Sequence, residues 1–233
     1  MTMIAENLQA VRRRVSAACI AAGRAPHTVQ VLAVSKTFAS DVVDRAIGAG
    51  QSMFGENYIQ EAVQKIQLLR SRTVQWHCIG PIQSNKTRLV AEHFDWVQSL
   101  DRLKIAQRLS DQRPAHLAPL QVCLQVNTDG GPTKAGVAPE QLAQLARDVA
   151  LLPRLVLRGL MTIPEPATDF QSAVALHAQA KALFDRLNAS GFALDTLSMG
   201  MSADLEAAIH TGSTMVRVGS AIFGSRSPQV PPQ

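Results

Sequence analysis

Short apolar runs alternate with amphipathic stretches along most of the chain. The first run, Val29–Ser35, carries apolar residues at both parities, which is typical of a strand covered on both faces in a parallel sheet. Seven similar runs follow it. The eight predicted strands are Val29–Ser35, Ser52–Phe54, Val74–Ile79, Trp96–Ser99, Leu120–Asn127, Val156–Met161, Leu194–Ser198 and Met215–Val218.

Residues with helical periodicity fill the intervals between these strands. An extra helix, Ile4–Ala22, precedes the first strand, and we expect it to cap the floor of the fold. The other predicted helices are Asp41–Ala49, Tyr58–Leu69, Leu103–Gln112, Pro139–Leu151, Phe170–Asn188 and Ala203–His210.

Strands that alternate with helices predict right-handed βαβ crossovers and a parallel sheet. Eight such units within 233 residues favour a closed (β/α)8 barrel of the TIM type over an open doubly wound sheet, and the sequence lacks the G-x-G-x-x-G pattern of dinucleotide-binding folds. No segment resembles a linker. We therefore expect a single α/β domain over residues 1–233, with the barrel at about residues 29–226.

Composition narrows the classes of partner. The net charge of +5 comes from dispersed arginines, and aromatic residues make up only 4% of the chain, which argues against nucleic-acid binding. The three cysteines lie far apart without a C-x-x-C pair, so we expect neither disulfides nor a metal site, and a reducing cytoplasmic location. No apolar stretch has the length of a membrane span or of a signal peptide's core, so no membrane partner is expected.

Lys36 follows directly on the first apolar strand. In parallel α/β folds, catalytic and binding groups collect at the carboxyl ends of strands, so this amine is a candidate for covalent chemistry. A lysine at this place also fits a simple return of the chain to solvent. With 6 lysines against 17 arginines, lysine is not the residue that this chain uses by default for positive charge.

Two later segments have the composition of an anion site. In Leu197–Ser202, glycine and serine stand between a strand and a helix, which suits a phosphate, although Ser202 also fits an ordinary helix cap. Arg217 lies within the last strand and needs an anion or a strong acceptor; an internal carboxylate, Glu56 or Asp204, would serve. Gly219 and Ser220 follow that strand, where closed barrels usually bind phosphate.

A lysine, a phosphate site and an arginine together suggest an aldehyde-bearing phosphate ligand held as a Schiff base. Pyridoxal 5'-phosphate (PLP) fits this description, and so does a sugar phosphate in a Schiff-base aldolase. These residues alone do not separate the two ligands.

Several ordered motifs resemble the pyridoxal phosphate homeostasis protein family. They are Val34–Thr37, Phe54–Tyr58 with Gln60 and Glu61, Trp76–His77 with Ile79–Pro81, Gln83–Lys86, Arg158–Met161, Ser198–Ser202 and Val216–Gly219. The resemblance runs in register from Val29 to Arg226. It departs from the family at Ser220, where threonine is common, at Cys78, where an aromatic residue is common, and in the loop Asp129–Thr133, which is usually more polar.

The resemblance implies a fold-type III barrel, related to the N-terminal domain of alanine racemase, that binds PLP without established turnover. Lys36 would form the internal aldimine, Asn57 would lie against the cofactor ring, and Arg217 would face the pyridine nitrogen. The phosphate would be held by Ser198, Gly200, Gly219 and Ser220. The implied role is intracellular PLP homeostasis, in which the chain carries or buffers the cofactor for PLP-dependent apo-enzymes.

The alternative function is an amino-acid racemase of the alanine racemase type. A racemase needs acid and base groups on both faces of the substrate carbon, and in related racemases one of them is a tyrosine from a separate β domain. This chain has one tyrosine, Tyr58, and no second domain is expected. We therefore expect a binding protein rather than an enzyme, and a monomer rather than a dimer. His77 is predicted to be a buried, hydrogen-bonded histidine.

Overall fold

The computed structural model describes residues 2–130 and 135–224. Its centre is a closed barrel of eight parallel strands, and each strand pairs with its neighbour in the sequence. The strands are β1 Gln30–Val34, β2 Met53–Glu56, β3 Gln75–Cys78, β4 Trp96–Leu100, β5 Leu120–Gln125, β6 Leu155–Met161, β7 Thr196–Ser198 and β8 Met215–Val218. The predicted barrel and all eight predicted strands are confirmed, with ends that move by at most two residues. Residues 131–133 of the loop that departs from the family lie outside the described residues.

Pairing between the first and last strands closes the barrel. Leu32 of β1 lies beside Arg217 of β8, and Val34 of β1 lies beside Gly55 of β2. The carboxyl ends of β7, β8, β1 and β2 are therefore consecutive around one rim, although they are far apart in the sequence. This rim carries the residues that the sequence singles out.

Helices surround the barrel. They are α1 Met3–Ala21, α2 Ser40–Gly48, α3 Ile59–Leu68, α4 Thr87–His93, α5 Leu103–Gln112, α6 Pro139–Ala150, α7 Phe170–Ala189, α8 Leu205–Thr211 and α9 Ser220–Phe223, with 3₁₀ turns at Pro26–Thr28 and Ser84–Lys86. The sequence pattern missed α4 and α9. Two turns or fewer are too short to repeat an apolar position often enough to show a helical period.

The first helix does not cap the floor of the barrel, as the sequence led us to expect. It packs on the side of the barrel against α2, α8 and α9. Asn7 donates from Nδ2 to the Ile222 carbonyl oxygen at 2.9 Å, and Arg14 pairs with Glu206 on α8. Because α9 has only four residues, α1 occupies the place that a long eighth helix would otherwise take in the ring.

The interior of the barrel holds several buried polar side chains beside apolar ones such as Leu32 and Met215. Gln98 on β4 contacts side chains on β3, β7 and β8. Contacts to strands on the far side are possible only across the interior, so Gln98 points inward. The outward positions of the strands are apolar and pack beneath the helices, as at Phe54 and Val97. In the described part of the chain no helix is long and apolar enough to cross a membrane.

Candidate functional site

Every residue that the sequence nominated lies at or near the carboxyl rim of four consecutive strands. Lys36 follows β1 and Asn57 follows β2, and both are half-buried. The others are Ser198 at the end of β7, Gly200 just beyond it, Arg217 within β8, Gly219 after β8, and Ser220 at the start of α9. Strand alternation places Lys36 at the same inward parity as Val34, because successive side chains of a strand point to opposite faces.

Arg217 is held inside the barrel by neutral oxygens. Its Nη1 donates to the Ser198 carbonyl oxygen at 2.7 Å and to Ser198 Oγ at 2.9 Å, and its Nη2 donates to the Thr162 carbonyl oxygen at 2.8 Å. Burial lowers the pKa of this guanidinium to about 10, and Asp204 and Cys123 oppose that shift. The guanidinium therefore keeps its charge near neutral pH although it is buried.

Neither carboxylate that the sequence suggested for Arg217 is hydrogen-bonded to it. Glu56 is hydrogen-bonded to Ser35 and Lys65, on the opposite parity of β2 from the barrel interior. Asp204 accepts from the Met201 N–H and contacts His177. Among the described residues, the guanidinium has hydrogen bonds to uncharged groups alone, and Asp204 acts on it through the Coulombic attraction that opposes the fall in its pKa.

The Ser198 hydroxyl is engaged within the protein. It donates to Gln98 Oε1 at 2.7 Å and accepts from Arg217. A hydroxyl has one proton, so this side chain has no further proton to donate to a phosphate. Its direct effect in the structure is to connect Gln98 with Arg217.

His77 is the last residue in this series of hydrogen bonds across the barrel interior. The Oε1 atom of Gln98 accepts from Ser198, and the Nε2 atom of Gln98 donates to His77 Nδ1 at 3.0 Å. The ring also stacks on Trp96 with centroids 5.1 Å apart. Burial lowers the pKa of His77 to about 3, which keeps the ring neutral. The prediction of a buried, hydrogen-bonded histidine is confirmed.

This buried histidine predicts an acid sensitivity that can be measured. The pKa of His77 is lowered in the folded state, so its contribution to stability is present above the unfolded value of 6.5 and is lost as pH falls from 6.5 towards 3. Between pH 7 and pH 5 the loss is about 2 kcal/mol, because only the unfolded chain gains the proton over that range. Urea unfolding at both pH values should show a smaller difference for His77→Gln than for the wild type. An equal difference in the two proteins would contradict this assignment.

The loop after β7 has a backbone that requires glycine. Gly200 has φ +91°, and a Cβ at this position would lie 2.4 Å from the Cβ of Ala208. Asp204 holds the loop by accepting from the Met201 N–H at 2.6 Å, and His177 lies 2.9 Å from its other oxygen. Burial opposes the charge on Asp204, but these hydrogen bonds, together with Coulombic attraction to His177 and Arg217, outweigh it and lower the pKa of the carboxyl.

Glycines also bring the backbone close on the other side of the rim. A Cβ on Gly219 would lie 3.3 Å from the Val34 carbonyl oxygen, and a Cβ on Gly80 would lie 2.3 Å from the Asn57 carbonyl oxygen. Asn57 Oδ1 is buried and has no hydrogen-bond partner among the described residues. Buried polar atoms are nearly always paired in proteins, so this oxygen is a candidate contact for a ligand or a water molecule.

The sequence analysis missed two residues that hold the site together, Gln98 and Lys65. Gln98 has a detectable signal in the sequence, because it is a polar residue within an otherwise apolar strand. Lys65 has a weaker one, the i,i+4 spacing from Glu61 on an amphipathic helix. It is buried beside Glu56 at 2.8 Å, immediately behind the loop that carries Lys36.

Comparison with known sequences agrees with the motifs. The family described as alanine racemase, N-terminal domain, matches residues 3–227. Proteins named pyridoxal phosphate homeostasis protein are similar over nearly their whole length. The one from Pseudomonas aeruginosa is 57% identical over 226 residues, covering 97% of both chains. The one from Escherichia coli K12 is 52% identical over 229 residues, covering 97% of this chain and 98% of the relative.

Solved structures show the same barrel. PipY of Synechococcus elongatus with PLP bound is 35% identical, with a TM-score of 0.83 and coverage of 95% of this chain and 100% of PipY. An alanine racemase of Clostridium difficile shares the fold at 16% identity and a TM-score of 0.67, and this chain covers 53% of it. The ordered motifs, the relatives of equal length and the barrel together show that the chain belongs to the pyridoxal phosphate homeostasis protein family.

Proposed function

We propose that this chain binds PLP at the carboxyl rim of its barrel and carries or buffers the cofactor within the cell. The observation that carries the proposal is the arc of β7, β8, β1 and β2, which brings Lys36 to the same rim as an arginine hydrogen-bonded to neutral oxygens. The names of the relatives and the PLP bound to PipY support the choice of PLP over a sugar phosphate.

The residues of the rim fit the chemical groups of PLP. The cofactor supplies an aldehyde that condenses reversibly with a primary amine, and Lys36 is the amine that we assign to it. Arg217 is assigned to the pyridine nitrogen and Asn57 to the ring, since the buried Asn57 Oδ1 has no partner among the described residues.

For the phosphate we assign the glycine-bearing loops of Gly200 and Gly219, with Ser220. Ser220 is the first residue of α9, so its N–H has no hydrogen-bond partner within that helix. Ser198 differs from the expectation drawn from the sequence. Because its hydroxyl proton is used by Gln98, we assign Ser198 to holding Arg217 rather than to direct contact with the phosphate.

The charge of Arg217 favours binding and release of PLP over catalysis by PLP. A permanently cationic side chain beside the pyridine nitrogen disfavours protonation of that nitrogen, which weakens the ring as an electron sink. Transamination is then disfavoured, whereas reversible retention of the cofactor is unaffected. We propose that the chain acts without catalytic turnover.

A racemase is the alternative, and its additional requirement is an acid or base on the second face of the substrate carbon. Tyr58, the single tyrosine of the sequence, is 56% exposed. Exchange of the α-proton of alanine for deuterium, followed by NMR with the PLP-loaded protein, tests this alternative. We expect exchange no faster than with free PLP; rapid enzymatic exchange would favour the racemase.

We further propose that PLP-dependent apo-enzymes receive the cofactor in the cytoplasm. The three cysteines are unpaired and buried, which suits a reducing compartment. The residues that we assign to PLP lie on one rim of one barrel, so we propose that a monomer suffices, and light scattering of the loaded protein tests that state.

Transfer of PLP from the loaded protein to an apo-enzyme tests the proposed function. The rate should exceed the rate at which the loaded protein releases PLP into buffer containing a PLP-trapping amine. A transfer rate equal to that of passive release would mean that the chain stores PLP and does not deliver it to the apo-enzyme. Failure to take up PLP at all would exclude the proposed function.

A further inference from the structure

A buried ion network lies directly behind the loop that carries Lys36. Lys65, on α3, is 4% exposed, and its Nζ donates to the Ser35 carbonyl oxygen and to Glu56 Oε1, each at 2.8 Å. It also lies 2.7 Å from Glu61 Oε1, one helical turn away. This amine thus joins two carboxylates to the main chain immediately before Lys36.

Both neighbours of Lys36 in the chain are held by this network. On one side, Ser35 donates from Oγ to Glu56 Oε1 at 2.6 Å and accepts from Lys65 through its carbonyl oxygen. On the other side, the Thr37 N–H donates to Glu61 Oε1 at 2.9 Å. Glu56 on β2 and Glu61 and Lys65 on α3 therefore fix the backbone on either side of Lys36.

The backbone at this point is strained. Thr37 has φ +69° and is the single described non-glycine residue with a positive φ. Such a conformation costs about 1–3 kcal/mol and persists only when the surroundings impose it. The Thr37 hydroxyl does not compensate, since Oγ1 is buried and has no hydrogen-bond partner within the described ranges. Two hydrogen bonds hold Thr37 in this conformation. The Phe38 N–H donates to the Ser35 carbonyl oxygen at 3.1 Å and closes the turn, and the Thr37 N–H donates to Glu61.

Stability alone does not explain the network. Burial raises the pKa of Glu56, although Lys65 and Ser35 oppose the rise. A buried ion pair usually stabilises a fold no better than well-packed apolar residues would. The placement of the pair is more informative: it holds Ser35 outward towards α3, and Lys36, the next residue, has the same parity as Val34, which faces the barrel interior.

We propose that Lys65, Glu56 and Glu61 are positioning residues for Lys36, acting by clamping Ser35 and Thr37. The proposal concerns an oriented amine, and its connection with cofactor capture rests on the proposed function. An amine that is held in the productive direction reacts faster than one that must find it, because the ordering is already complete before the reaction.

The first experiment measures the clamp without cofactor. Amide hydrogen exchange of Thr37 is followed by NMR in the wild type, Glu61→Ala, Glu61→Gln and Gln64→Ala, the last being an exposed position on the same helix. We expect exchange at least about fivefold faster in Glu61→Ala, since the acceptor is lost. Glu61→Gln keeps an acceptor oxygen and should resemble the wild type, as should Gln64→Ala. Unchanged exchange in Glu61→Ala would overturn the clamp.

The second experiment connects the clamp to Lys36. PLP is mixed with each protein, the reaction is quenched with borohydride at successive times, and the adduct on the Lys36 peptide is quantified. Capture should be about tenfold slower in Glu61→Ala and near the wild-type rate in Glu61→Gln and Gln64→Ala. Wild-type rates in Glu61→Ala, or equal slowing in Glu61→Gln, would overturn the positioning role.

Thr37→Gly separates the contact to Glu61 from the side chain and the strain of Thr37. Glycine adopts positive φ without strain, so the melting temperature should stay within about 2 °C of the wild type or rise. Capture at Lys36 should stay within about twofold of the wild-type rate, because glycine keeps the backbone N–H that donates to Glu61. Capture slowed as much in Thr37→Gly as in Glu61→Ala would contradict the proposal, since the contact to Glu61 would then not be what orients Lys36. A wild-type protein that never forms an adduct on Lys36 would instead refute the proposed function. The hydrogen exchange of the Thr37 amide would still test whether Glu61 holds the loop.

Discussion

Replacement of Lys36 by alanine is expected to weaken PLP retention by about 100-fold, or about 2.7 kcal/mol. The reason is that the proposed covalent contact is lost while the proposed contacts from Arg217 and the glycine loops remain. Equilibrium dialysis of the cofactor, with absorbance of the adduct as a second signal, measures the effect. Retention equal to that of the wild type would contradict the assignment of Lys36.

Two further variants make this result specific. Lys36→Arg keeps the positive charge but has no primary amine for condensation, so it should resemble Lys36→Ala if the bond matters more than the charge. Lys104→Ala removes an exposed lysine on α5 and should retain PLP like the wild type. A Lys36→Arg protein that retains PLP fully would show that Lys36 acts by charge.

Replacement of Lys65 by methionine is expected to cause the largest loss of stability. The change leaves Glu56 buried without its 2.8 Å partner, and breaking a buried pair in this way costs about 3–5 kcal/mol. For a chain of this size the melting temperature should fall by roughly 10 °C. Thermal unfolding of cofactor-free protein, followed by circular dichroism, measures it. Lys104→Met, at an exposed position, is the matched control and should melt near the wild type.

A double variant tests the cause of that loss. Lys65→Met with Glu56→Gln removes both charges, and the new amide oxygen still accepts from the Ser35 hydroxyl. The double variant should be more stable than Lys65→Met alone by about 1–3 kcal/mol. If the loss of stability in the double variant equals the sum of the losses in Lys65→Met and Glu56→Gln, the ion pair is not what Lys65→Met disrupts.

Strand positions could be predicted from the sequence because the barrel strands are covered on both faces and stand out as apolar runs. The rim position of Lys36 followed from the same fact, since a residue after a parallel strand lies at its carboxyl end. The position of α1 could not be predicted in this way. Its apolar stripe shows that one face is buried but not which surface covers it, and the short α9 leaves that surface on the side of the barrel.

Partners of buried polar residues were the least predictable part of the site. The sequence shows that Arg217 needs acceptors, but only the register of β8 against β7 brings the oxygens of Ser198 to it. Glu56 faced the wrong side of β2 to serve, and it met a lysine from the following helix instead. Partner choice depends on contacts between segments that lie far apart along the chain, which periodicity does not encode.

The most direct test of the central claim is the position of the covalent adduct. The purified protein is saturated with PLP, reduced with borohydride, digested and mapped by mass spectrometry. The account predicts one pyridoxyl group per chain, on the peptide that contains Lys36. An adduct confined to another lysine, or none after saturation, would contradict it.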